Sequence, residues 1–257
     1  MSVWTDAAVT AALALATGAG AEDVAYTNIT TDTRTLKPGD LFVALRGPNH
    51  DAHDFLGQAA ASGARAAVVE RIPDGAPTTL RYHIVPDALE ALGRLGRFHR
   101  HRIHARVCAV TGSNGKTTTK DLLRAVLSAR YRVHATTGNF NNLVGVPLTL
   151  LACPTGVEAV VAEVGTNAPG EVARIGGILE PDAAVITTIS AEHLEGLGDL
   201  DGVLREETAI LPWLPAGGPA VVPDEPVSLA ERARELADNV RVVGFTERAG
   251  AGFRGEN

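Results

Sequence analysis

Residues 107–121 read VCAVTGSNGKTTTKD, and this stretch decides the fold. Val107, Cys108, Ala109 and Val110 are a short apolar run, the pattern of a central parallel strand covered on both faces. Gly112 and Gly115 let the backbone turn where a Cβ would forbid it and let it come close to a ligand. Lys116, Thr117 and Thr118 then open a helix, whose first N–H groups and partial positive charge suit a phosphate. Thr111, Gly112, Ser113, Asn114, Gly115, Lys116, Thr117 and Thr118 thus form a candidate cradle for a nucleotide. In it Lys116 serves the β- and γ-phosphates and the Thr117 hydroxyl serves Mg²⁺. The spelling is not the commonest one, because Val110 stands where the longer motif has a glycine. The plain alternative is a strand-to-helix turn with an incidental lysine. The strand before, the helix after and the paired glycines favour phosphate.

Outward from this stretch, apolar runs and helical periods alternate. Helices are expected over 116–129, 144–152, 169–179, 200–211 and 226–238, and strands over 133–137, 159–164, 183–188, 220–223 and 240–243. Repeated strand–helix–strand units predict a mostly parallel sheet with helices on both faces. In such sheets ligands gather at the C-terminal strand ends. Glu163 ends one buried run, and His193 follows another. A carboxylate at that edge suits Mg²⁺; the alternative is a strand end facing solvent. The turn Gly138-Asn139-Phe140-Asn141-Asn142 is rich in hydrogen-bonding groups, or is simply a cluster of Asx turns.

The first hundred residues form a separate small α/β unit. A helix capped near Thr5 is expected over 5–17. A short β-branched segment with polar tips is expected over 29–34, strands over 40–45, 66–70 and 82–85, and helices over 52–62 and 87–101. The last helix is expected to carry arginines and histidines on its outer face. Polar groups crowd the loops: Thr31, Asp32, Thr33, Arg34, Arg46, Asn49, His50, His53 and Asp54. They are either a solvated surface or, through Arg34 and the 44–47 turn, a hold on a phosphorylated ligand.

The bulk figures set limits. A chain of 257 residues is long enough for about two domains. A hydrophobic content of 45%, a charged content of 21% and a net charge of −7 fit a globular protein without a general basic surface for nucleic acid. No apolar run reaches the length of a membrane span. The N-terminus lacks a basic n-region and is interrupted by Asp6, so a signal peptide is not expected. Cys108 and Cys153 read as reduced core thiols, which points to the cytoplasm.

Four segments together resemble the Mur ligases, the ATP-dependent amide ligases of peptidoglycan precursor synthesis: TGSNGKTTTKDLL (111–123), TGNFNNLVGVPLTLL (137–151), VAEVGTNAPGEVARI (161–175) and PDAAVITTISAEHLEGLGDLDGV (181–203). The NFNN and HLEG segments, and the N-terminal TDTRTLKPGDLFVALRG and HDF segments, are most similar to the members that add D-alanyl-D-alanine to UDP-N-acetylmuramoyl tripeptide. The resemblance implies a UDP-precursor-binding domain over 1–104 and an incomplete central ATP-binding domain over 105–257, with the C-terminal domain absent. It implies ATP and Mg²⁺ as cofactors, an acyl phosphate as intermediate, and a monomer. By resemblance Thr117 and Glu163 hold Mg²⁺ beside the nucleotide, and His193 holds a second Mg²⁺. Asn141 and Asn142 lie next to the reacting groups beside Lys116. Thr31, Asp32, Thr33, Arg34, Ala44, Leu45 and Gly47 take the UDP end of the substrate.

Two departures stand out. The family carries a carbamylated lysine on the helix after HLEG, and Glu207 occupies that position. Either Glu207 supplies the same charge from a shorter stem, as a catalytic metal ligand, or it is a surface residue and the second metal is weakened. The chain also stops where the family continues, so a fragment is expected. Alternatives are another Mur-type or folylpolyglutamate-type ligase, a non-catalytic module that binds nucleotide and UDP-precursor, and a generic P-loop ATPase.

Overall fold

The structure is a computed structural model, and it describes residues 4–15, 24–192 and 194–244. The chain divides into two compact units that part between His99 and Arg100.

In the first unit, β1 (Trp4–Thr5) pairs antiparallel with β2 (Ala25–Tyr26). Helix α1 (Asp6–Leu13) starts at Thr5, whose hydroxyl accepts the Ala8 N–H at 3.2 Å. The main sheet runs β3 (Ile29–Thr30), β4 (Leu41–Val43), β5 (Ala66–Val69), β6 (Arg81–Ile84), in that order and all parallel. Phe42, Leu56, Ala67, Val69 and Leu80 pack a core on one side of it. The expected helix over 52–62 begins as a 3₁₀ turn (Ala52–Phe55) and continues as α2 (Leu56–Ala61).

Helix α3 (Ala88–Arg102) carries several of its arginines and histidines outward, as expected: Arg94, Arg97, His101 and Arg102 are exposed. Ala88, Ala91, Leu92 and Leu95 set a buried stripe at helical spacing, and His99 falls on it, where its ring stacks on Trp4 at 5.8 Å.

The second unit holds β7 (Arg106–Thr111), α4 (Lys116–Ser128), β8 (Val133–Ala135), α5 (Gly145–Leu151), β9 (Ala159–Glu163), α6 (Glu171–Leu179), β10 (Ala183–Ile186), α7 (Leu194–Leu197), α8 (Leu200–Thr208), a 3₁₀ turn (Leu211–Trp213), β11 (Pro219–Pro223), α9 (Val227–Leu236) and β12 (Asn239–Val243). Its six strands lie in the order β12-β11-β10-β7-β9-β8, and every neighbouring pair is parallel. Arg100 closes the far end of α6: its guanidinium donates to Leu179 O at 2.9 Å, Glu180 O at 3.2 Å and Asp182 Oδ2 at 2.9 Å.

Chain direction decides which face each helix covers. The step from β7 to β8 runs toward one edge of the sheet, and every later step runs back the other way. With right-handed crossovers, α4 lies on one face, the one crossover helix there among the described residues, and α5, α6, α8 and α9 line the other. The contacts agree: α5 packs on α6, α6 on α8 and α8 on α9, while α4 packs on β7, β8 and β9. With no second crossover helix beside it among the described residues, α4 is poorly covered, so its Leu122 and Val126 are 62% and 71% exposed. The buried strand expected over 183–188 forms as β10, and the same topology sets how its two faces are covered. Ala184 and Ile186 are buried on the α8 side, whereas Ala183 and Val185 on the other face are only half-buried.

Candidate phosphate and metal site

The stretch 107–121 forms a strand, a loop and a helix start. β7 ends at Thr111, fully buried in the sheet centre between β9 and β10. At Gly112, φ is +119°, and a Cβ would lie 2.8 Å from Thr187 N and 2.9 Å from Thr188 N, so no other residue fits without moving the loop. Gly115, at φ +82°, is the residue before α4. The loop between them is laced to the chain leaving β10. Ser113 N donates to Thr188 O at 2.8 Å, Asn114 N to Thr188 Oγ1 at 3.0 Å, and Ser190 N to Ser113 Oγ at 2.9 Å. Thr187, Thr188 and Ser190 were missed by the sequence reading, although ITTIS after an apolar run is the signal of hydroxyls at a strand end.

Lys116 curls back over this loop. Its ammonium donates to Gly112 O and to Ser113 O at 2.9 Å, and lies 3.8 Å from Glu192 Oε1. Thr117 and Thr118 are exposed on the first turn of α4, where backbone N–H groups have no intrahelical partner.

Glu163 ends β9 in register with Val110, beside the phosphate loop's own strand. It is 3% exposed, and its backbone N–H donates to Thr136 Oγ1 at 2.9 Å. Oε1 accepts from Asn141 Nδ2 at 3.0 Å, while Oε2 is buried without a hydrogen-bond partner among the described residues. A buried oxygen left bare is costly and calls for a cation or an ordered water. The Glu163 carboxylate therefore fits a divalent ion. Among the described residues no group of three or more His, Cys, Asp or Glu is arranged to hold a metal. Burial pushes the Cys108 and Cys153 thiols each up to about 11, which disfavours the thiolate a metal needs.

The two asparagines divide. Asn141 is bonded to Glu163, and its carbonyl accepts the Gly165 N–H at 2.8 Å. The Asn142 side chain instead accepts Val144 N–H at 3.1 Å and Gly145 N–H at 2.8 Å, closing the start of α5. His193 lies outside the described residues.

Glu207 is not a surface residue, and that alternative is corrected. It is 1% exposed, and Oε2 accepts from the Thr111 hydroxyl and, at 2.8 Å, from Gly112 N–H. Burial raises its carboxyl above the usual range, against the opposing pull of Thr111, Lys116 and Gly112. Its neighbour Glu206, also buried, was not singled out from the sequence.

In the first unit, Thr31, Asp32 and Thr33 are half-buried and Arg34 is 84% exposed. Arg34 is already engaged: Nε donates to Asp32 Oδ1 at 2.9 Å and NH2 to Oδ2 at 2.7 Å, which lowers the Asp32 carboxyl. The Ala44 side chain belongs to the core, so only its backbone could meet a ligand. Leu45 O accepts Ala52 N–H at 2.9 Å, and Gly47 N–H donates to His50 O at 2.8 Å, which closes the 44–51 turn on itself. Behind this turn lies a network the sequence reading left out. Asp51 accepts from His53 Nδ1, His53 N–H and Arg71 NH2, and His53 Nε2 accepts Glu70 N–H at 3.0 Å. Burial alone would raise the Asp51 carboxyl, but Arg71 and His53 together hold it well below the usual carboxylate range.

Comparison with known proteins follows the two units. Residues 110–257 match the profile of the Mur ligase middle domain, and residues 25–100 that of the Mur ligase family, catalytic domain. The UDP-N-acetylmuramoyl-tripeptide–D-alanyl-D-alanine ligase of Bacillus subtilis is 41% identical over 207 residues, 80% of this chain and 45% of that one. The ligase of the same name from Escherichia coli is 43% identical over 200 residues, 78% of this chain and 44% of that one. The crystal structure of MurF from Acinetobacter baumannii superposes with a TM-score of 0.87 at 34% identity, covering 95% of this chain and 54% of that one. That of MurF from Thermotoga maritima in complex with ADP gives 0.78 at 30% identity, covering 84% and 50%. The chain spans about half the length of the relatives it matches.

Proposed function

We propose the following function for this chain, which belongs to the Mur ligase family: it supplies the nucleotide and UDP-precursor sites of an ATP-dependent ligase that adds D-alanyl-D-alanine to UDP-N-acetylmuramoyl tripeptide. The observation that carries this is the pairing of a phosphate loop, Thr111 to Thr118, with a buried carboxylate, Glu163, whose second oxygen is unpartnered at the same strand edge. The D-alanyl-D-alanine ligases of B. subtilis and E. coli, at 41% and 43% identity, support the choice of substrates.

The chemistry joins two anions, so positioning and charge neutralisation do most of the work. The substrate carboxylate takes the γ-phosphoryl group of ATP, releasing ADP and leaving an acyl phosphate. The amine of D-alanyl-D-alanine then attacks the acyl carbon, and inorganic phosphate departs. Lys116 leaves the carbonyls of Gly112 and Ser113 to meet the phosphates, and the glycine loop and α4 N-terminus donate N–H groups. Thr117 and Glu163 would hold Mg²⁺, with His193 and Glu207 assigned to a second ion; bound there, Mg²⁺ neutralises phosphate charge. Asn141 fixes the Glu163 carboxylate, and Asn142 shapes the loop that carries Asn141. In the first unit, Thr31, Asp32, Thr33, Arg34 and the Ala44, Leu45 and Gly47 backbone form the site for the UDP end. The enzyme acts as a cytoplasmic monomer, where ATP and UDP-precursors are supplied. Among the described residues no helix is long and apolar enough to cross a membrane.

Calorimetry on the chain tests this. Mg·ADP and the UDP-linked tripeptide should each bind, and Arg34→Ala should weaken only the second, by about 1.5–3 kcal/mol. Phosphate release that requires both acceptor and D-alanyl-D-alanine would show turnover as well as binding. A chain that binds neither ligand overturns the proposal.

A further inference from the structure

Helix α8 carries two carboxylates in succession, and both are buried. Burying a carboxylate is expensive unless its oxygens are well used. Glu207 grips the phosphate loop through the Thr111 hydroxyl and the Gly112 N–H. Glu206 grips a different loop, the one that follows β9 and Glu163. Its Oε2 accepts Gly170 N–H at 2.7 Å, and Oε1 accepts Val172 N–H at 2.8 Å and the Thr166 hydroxyl at 3.2 Å.

Taken alone, Glu206 is an acceptor for the free N–H groups at the start of α6. Two observations point further. That turn already has a carboxylate of its own, since Glu171 Oε2 accepts the N–H groups of Asn167 at 2.7 Å and Ala168 at 3.2 Å. Glu206 adds bonds that reach to another element, and it is covalently next to the residue that holds the phosphate loop. A shift of the 166–172 segment thus pulls α8, and α8 pulls Thr111 and Gly112.

We infer that α8 is a strut that keeps the phosphate loop and the loop after Glu163 in one register, with Glu206 as a positioning residue for the nucleotide end of the reaction and Glu207 holding the loop through Oε2 beside its assignment to the second ion. Its value to catalysis rests on the phosphate-loop reading above; the mechanical link does not. The arrangement lets occupancy at one strand end be felt at the other, which suits a site where nucleotide and metal must be seated together.

The test uses the whole chain and two readouts: amide hydrogen exchange without ligand, and Mg·ADP affinity. Glu207→Gln should speed exchange at residues 112–116 and weaken Mg·ADP about tenfold, as expected for loss of a charge-assisted bond. Glu206→Gln, which touches no residue of the phosphate loop, should also speed exchange at 112–116 and weaken Mg·ADP about threefold. The double variant should fall short of the product of the two. Thr166→Val, which removes one donor to Glu206 and alters no charge, should shift both readouts the same way by less, and it serves if a glutamine variant does not fold. If Glu206→Gln and Thr166→Val speed exchange at 166–172 alone and leave 112–116 and the affinity unchanged, Glu206 is a local cap and the strut is overturned. If the parent chain binds no nucleotide, the phosphate-loop reading falls, and exchange at 112–116 still decides the link.

Discussion

The amide of Asn141 donates to Glu163 Oε1 at 3.0 Å and leaves Oε2 buried and bare. One oxygen is thus fixed in direction while the other awaits a cation. Glu163→Gln keeps the shape and removes the charge. We expect Mg²⁺ to lose most of its effect on ADP affinity in this variant, while thermal stability without ligand holds or rises, since an uncompensated buried charge is gone. ADP titrations with and without Mg²⁺, alongside melting curves, check both halves. An unchanged Mg²⁺ effect would remove Glu163 from the metal site.

Lys116→Ala deletes a cation that donates to the carbonyls of Gly112 and Ser113 and approaches Glu192. The fold should survive with little change in melting temperature, and Mg·ADP binding should weaken by about 1.5–3 kcal/mol, the cost of a hydrogen bond to a charged group. Circular dichroism and calorimetry separate the two. A variant that binds the nucleotide as the parent does would leave Lys116 as a loop brace.

Much of this site was legible because its chemistry is local. Gly112, Gly115, Lys116 and Thr117 lie within six residues, and the backbone they need is written in their types. Glu163 was legible as a carboxylate ending an apolar run. Glu207 was not placed, because its bond to Thr111 spans 96 residues, and two adjacent acids on a helix look like any solvated face. An apolar run such as 183–188 does not tell which face a neighbouring helix covers; topology leaves the α4 side of β10 half-buried. In the N-terminal network His53 is local to Asp51, but Arg71 reaches Asp51 across 20 residues of sequence, which no local pattern shows.

That network carries a pH dependence. The folded Asp51 carboxyl is depressed, so its contribution to stability is fully present above the unfolded value of about 3.9 and is lost as pH falls below it. Unfolding free energy should decline between about pH 4 and pH 2 with a component that Asp51→Asn removes. Denaturant titrations at a series of acid pH values would show it as a shallower slope in the variant. Parallel slopes would mean that Arg71 and His53 do not hold Asp51 ionised.

At the position where the resemblance to the Mur ligases places a carbamylated lysine, this chain has Glu207. The structure gives that position a fully buried carboxylate, held by Thr111 and Gly112, in the field of Lys116. Glu207→Lys would put an ammonium where an anion is bonded and a cation is close. Burial and Lys116 both disfavour that ammonium, so the amine should be neutral, the form that reacts with CO₂. The resulting carbamate restores a carboxylate, on a longer arm. We therefore expect the variant to bind Mg·ADP about tenfold more weakly than the parent without bicarbonate, and to recover much of the loss when bicarbonate is supplied. The parent, which has no amine at this position to carbamylate, should not respond to bicarbonate at all. Carbon-13 labelled bicarbonate would reveal the carbamate directly by NMR. If bicarbonate leaves Glu207→Lys unchanged and no carbamate forms, the pocket is shaped for the short glutamate arm alone, and its likeness to a carbamylated-lysine site ends at the alignment of the two sequences.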